Sequence, residues 1–131
     1  MPRLTRWFVR AAFLALLSGL GFGGWDAATG RAPLLDPTVL HLLVVGWLTQ
    51  MVFGVAFWLF PRHSPELPRG RVWLGWLTFG ALNLGLLARL IAEPAPTLGG
   101  RGAILLASGL LQTAAAVGFV LNTWPRVRER P

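Results

Sequence analysis

Cysteine, lysine and tyrosine are all missing from this chain of 131 residues, and acidic side chains number only five. Without cysteine there can be no disulfide, no thiolate metal site and no covalently attached c-type haem. Charge of either sign is scarce: 13% of residues are charged, against about 25% in a typical soluble domain. The charges cluster between long apolar runs, the pattern of a chain whose solvent is lipid. No carboxylate falls inside those runs, which leaves nothing to relay protons through hydrocarbon. No Walker loop, HExxH or serine–histidine–carboxylate set occurs, so no catalytic activity of the chain on its own is expected.

What is present is arginine, tryptophan and apolar bulk. The net charge of +7 does not point to nucleic acid, because the arginines sit at the ends of apolar runs and in short loops with no continuous basic face. Hydrophobic residues make up 54% of the chain. They form four stretches, about 7–25, 37–60, 72–92 and 103–124, each long enough for a membrane-spanning helix. Trp7, Trp25, Trp73 and Trp124 lie at or near the ends of these stretches, where an indole can keep its N–H among headgroups. The expected fold is all-α: a single transmembrane domain over 1–131, an integral membrane four-helix up-and-down bundle.

Local signals set the boundaries. The first stretch follows Arg3, Arg6 and Arg10 like a signal peptide. Its apolar run is long for one, and Asp26 spoils the cleavage site, so a retained helix is expected. Gly19, Gly21, Gly23 and Gly24 should weaken its outer half while permitting close packing. Asp36-Pro37 reads as N-cap and first helical residue of the second helix, and Pro61 ends it. Four Pro/Gly positions between 61 and 71 predict an irregular loop.

Orientation follows from arginine placement. Three arginines precede the first stretch, Arg62, Arg69 and Arg71 follow the second, and Arg126, Arg128 and Arg130 follow the fourth. The other two loops hold one each, Arg31 and Arg101. This alternation places both termini and the middle loop in the cytoplasm, and the chain in the inner (cytoplasmic) membrane as a multi-pass protein.

Polar groups within hydrocarbon need an account. His41 stands about one turn into the second helix, where a neutral imidazole can ligate haem iron or hydrogen-bond a carbonyl or headgroup. His63 lies in the loop at the opposite face and is expected to be solvated, so the two histidines should not share an iron. Arg89 comes at about the depth of His41. It can snorkel, pair with Glu93 four residues on, or serve a propionate, a lipid phosphate or a quinone oxygen, the last two with Trp47. Gly46, Gln50 and Gly54 recur every four residues on one stripe, suited to close packing, with Gln50 able to bond across it. His41, Val45, Thr49, Val52 and Ala56 should form an adjoining stripe. Ser108, Gln112 and Ala115-Ala116 give the fourth helix a small and polar face.

The run from His41 through Gly46-Trp47 and Gln50 to Gly54, Trp58 and Pro61 resembles a segment of small four-helix proteins that are like subunit I of cytochrome c oxidase. The third-span run Leu82-Asn83-Leu84-Gly85-Leu86-Leu87-Ala88-Arg89, followed by Glu93-Pro94, is similar to them as well. Those proteins in turn resemble part of the haem-copper oxidase and nitric oxide reductase large subunit, where a His-x-His pair holds two haems. Here the pair would be Val39 and His41, and no three further histidines exist to hold copper. The resemblance therefore implies no binuclear centre. It implies a single haem b with His41 as one axial ligand and Arg89 facing a propionate. The second ligand would be His41 of a symmetry-related chain in a homodimer, a residue of a respiratory-complex subunit, or a bound gas. The expected role is an accessory haem protein of respiratory electron transfer or nitrogen-oxide metabolism. The alternative is a structural subunit or assembly factor without haem.

Overall fold

The computed structural model describes residues 1–127; Arg128 and Arg130, two of the arginines used to orient the chain, lie outside the described residues. The described residues form helices and loops with no strand. Helix α1 is Arg3–Ala28, α2 is Pro37–Leu59, α3 is Val72–Ala92 and α4 is Arg101–Thr123. A 3-10 turn, Trp124–Arg126, continues α4. All four helices are long and apolar enough to cross a membrane by length and composition.

α1 exceeds its expected limits at both ends and runs unbroken through its four glycines. In water each interior glycine costs a helix about 1 kcal/mol. In lipid an unsatisfied backbone group costs more than that, so the helix persists until Thr29, whose Oγ1 donates to the Trp25 carbonyl at 2.9 Å. α2 opens as its sequence predicts. Asp36 Oδ1 accepts the Thr38 N–H at 2.8 Å, and Pro37 occupies the first position.

The middle of α2 departs from expectation. Leu42–Thr49 is wound as a π-helix between α-helical turns. The wider ring turns the chain by roughly 80° per residue instead of about 100°. Over these eight residues the accumulated difference is about 160°. His41 and Gln50 would stand on opposite faces of a continuous α-helix; here both look toward α3. The expected stripe of His41, Val45, Thr49, Val52 and Ala56 is accordingly broken between His41, before the π-helical segment, and Val52 and Ala56, after it.

The helices pair as two antiparallel hairpins. In the first, a side chain on Gly46 would collide with Ala15, and one on Gly54 with Phe8, only 2.6 Å away. Thr5 Oγ1 donates to the Gly54 carbonyl at 3.0 Å across the same contact. In the second, Gly85 meets Ser108 and Gln112 while Gly118 meets Thr78. Ser108 Oγ donates to the Gly85 carbonyl at 2.7 Å. This is the small-residue packing that membrane helices use to bring backbones close. Larger side chains join the hairpins to each other. Phe8 meets Phe79 edge-on at 5.1 Å, and Phe53 stacks on Phe119 at 4.0 Å.

Gly54→Leu is expected to force α1 off α2 and to lower stability in detergent by about 1–3 kcal/mol, the usual range for overpacking. Gly21→Ala, where nothing lies within 4 Å, should be neutral. Denaturant titration of both variants checks the pair, and equal effects would contradict the packing described.

Candidate functional site

The loops 29–36 and 93–100 close one end of the molecule, and most of the polar chemistry gathers beneath them. Asp26, the end of α1, is buried and pairs with Arg31 at 3.7 Å. It lies beside Asp36, and the two line a cavity of about 410 Å³ together with Thr38 and Glu93. Arg101, the first residue of α4, donates from Nε to the Ala92 carbonyl at 2.8 Å, closing the carbonyl end of α3.

At the centre stands Glu93. Its side chain is 6% exposed, and one oxygen, Oε1, lies close to nitrogens of two side chains, Arg89 and His41. Arg89 Nη1 donates to it at 3.2 Å, the i,i+4 pairing open to it in the sequence. His41 Nδ1 lies 2.8 Å from the same oxygen, but off the axis a hydrogen bond requires, so the contact is one of close electrostatic approach. The other oxygen, Oε2, is buried with no partner among the described residues. The two residues singled out from sequence thus come together, and the link between them is a carboxylate that the sequence offered only as Arg89's neighbour. Its tie to His41 was hidden because it depends on the π-helical turn of α2.

Trp47 does not join them. Its indole makes no hydrogen bond, ion pair or ring contact among the described residues, so a site shared by Arg89 and Trp47 has no support in the geometry. His63 is at the other end, as expected, half-buried, with its Nδ1 shielded. Deeper along the seam, Asn83 Nδ2 donates to Gln50 Oε1 at 2.9 Å, and Gln50 Nε2 donates to the Gly46 carbonyl at 3.0 Å. Gln50 does bond across the interface, from a position almost wholly buried.

A haem requires an axial ligand, a flat apolar slot and cations for its propionates. A single chain offers the first alone. Neither His41 nor Trp47 lines any of five cavities at the surface of the described residues, and Arg89 already pairs with Glu93. The residues of one chain therefore do not fit the group. Nor do the described residues contain three histidine, cysteine or carboxylate side chains grouped to hold a metal ion. Comparison with family models, curated proteins and solved structures finds no match to this chain.

Because Glu93 serves two partners, Glu93→Gln should destabilise the protein by about 1–3 kcal/mol. His41→Gln, which removes one partner and keeps a polar head, should cost under about 1 kcal/mol. Unfolding of both variants in mixed micelles measures the difference; a larger loss at His41 would remove Glu93 from the centre of the cluster.

Proposed function

We propose that this chain is a structural or accessory subunit of a membrane complex, without catalytic activity of its own. The observation that carries the reading is that polar side chains on facing helices meet one another across the seam between the hairpins. Glu93 gathers His41 and Arg89, and Gln50 holds Asn83. These contacts fix how the two hairpins face each other, and the groups that make them serve the packing of the helices. A broad apolar exterior remains for lipid or a neighbouring subunit, including Leu14, Leu17, Leu84 and Leu106. The arginine distribution supports an inner-membrane location with both termini cytoplasmic. The likeness of the second and third spans to small oxidase-like proteins supports a complex of respiratory electron transfer or nitrogen-oxide metabolism.

One observation favours a second reading, a haem b held between two copies or against another subunit. His41 is 28% exposed at its side chain and has a carboxylate beside Nδ1, while Nε2 is uncommitted among the described residues. A carboxylate that accepts the Nδ1 proton, once the ring is turned onto the hydrogen-bond axis, orients a histidine for metal ligation. The slot and the second ligand would then come from outside the chain, as in a two-fold homodimer through His41.

Protein extracted gently from membranes, after expression with haem supplied, decides between the two. The expected result is migration with a larger assembly on a native gel and no Soret band in reduced-minus-oxidised spectra. A b-type Soret and alpha band that disappears in His41→Ala would replace the structural reading with the second.

A further inference from the structure

At the opposite end, where the 61–71 loop meets the close of α4, three arginines surround one cavity that no acidic residue lines. The cavity is about 450 Å³, and Trp58, Phe60, Pro61, Arg62, Arg69 and Arg126 contribute to its wall. Arg126 is 1% exposed. Its Nε donates to the Pro61 carbonyl at 3.0 Å, and its Nη2 to those of Phe57 at 2.9 Å and Phe60 at 2.8 Å. These bonds cap the carbonyl end of α2 and offset part of the Arg126 charge.

The rest is uncompensated. Arg126 Nη1 and Arg69 Nε are both buried with no partner among the described residues. The two guanidinium groups are close enough to repel each other. None of the three arginines makes an ion pair among the described residues. Neighbouring cations shielded from water with idle N–H groups are a costly arrangement. An anion with several acceptor oxygens relieves it, and the planar guanidinium fork matches phosphate best.

A second feature says which phosphate. An apolar furrow of about 360 Å³ runs along the outer face of α2, lined by Met51, Val52, Val55, Ala56, Leu59 and Phe60. Phe60 belongs to both cavities. From Met51 to Phe60 this face rises roughly 13 Å at about 1.5 Å per residue. Both features lie where the membrane-crossing helices Pro37–Leu59 and Arg101–Arg126 end, at the depth of lipid headgroups. A charged pocket beside an apolar furrow, with Phe60 in the wall of both, suits an amphiphile at that depth.

We propose that this end of the protein binds one anionic phospholipid, its phosphate on Arg62, Arg69 and Arg126 and an acyl chain along the Met51–Phe60 face of α2. A free phosphate would engage the same guanidinium groups and leave the furrow unused. Basic pockets between membrane helices select anionic headgroups in this way.

The test uses the whole chain in a neutral detergent, with phosphatidylglycerol, phosphatidylcholine or inorganic phosphate added at equal concentration. Native mass spectrometry should find one phosphatidylglycerol per chain, retained at least tenfold over phosphatidylcholine, with a raised unfolding temperature; inorganic phosphate should produce little shift. The double variant Arg62→Gln/Arg69→Gln leaves the carbonyl cap of Arg126 in place. It should lose the preference tenfold or more and unfold like the parent in phosphatidylcholine. Equal retention of the two lipids by the parent would overturn the proposal. A shift with inorganic phosphate matching that with phosphatidylglycerol would overturn it in favour of a soluble anion. Should the double variant be unstable, the parent's discrimination decides, together with Arg69→Lys, which keeps the charge but not the fork and should weaken retention.

Discussion

Hydrocarbon offers no partner to a polar group, and most of what distinguishes this molecule follows from that constraint. Inside a helix the backbone satisfies itself, so the burden falls on helix ends and on the few polar side chains. Two of the three helix ends that face a following loop are closed by α4. Arg101 at its start covers the last carbonyls of α3, and Arg126 just past its end covers those of α2. The two ends of one helix and its 3-10 extension thus secure the termini of two others.

The same constraint orders the seam between the hairpins. Layers of aromatic and small residues alternate with polar rungs: His41 and Arg89 at Glu93, Gln50 with Asn83, and Arg126 on the α2 carbonyls. Within each hairpin contact is backbone-close and mediated by glycine, serine and threonine. Between hairpins it is mediated by long side chains. The rungs consequently carry the relative placement of the two halves, since flat aromatic layers alone could slide past one another.

Much of this was legible in the sequence, for physical reasons that differ by element. The limits of α3 and the start of α2 were readable because proline and an Asp N-cap mark them chemically. The glycine stripe at Gly46, Gln50 and Gly54 was readable because small residues at regular spacing have few other uses in a membrane helix. The extension of α1 past both expected ends, to Arg3 and Ala28, was not, because the glycines and Asp26 of its outer half read as a weakening helix by propensities measured in water. Nor was the tie between His41 and Glu93, because periodicity arguments assume 3.6 residues per turn and α2 abandons that value just after His41. The arginine cavity escaped for a third reason. Arg62, Arg69 and Arg126 each read as an ordinary marker of orientation, and only folding places them around one space.

The π-helical segment has a consequence for how this sequence tolerates change in length. It acts as a phase shifter between two anchored stations, His41 above and Gln50 below. Substitutions that respect size can accumulate among Leu42–Thr49 without altering the phase. Loss or gain of a single residue there cannot be absorbed by a loop, because none exists within the span. It would swing one station away from α3 while the other stayed engaged. In this part of the chain the count of residues is itself a conserved quantity of the fold, held more tightly than their identities.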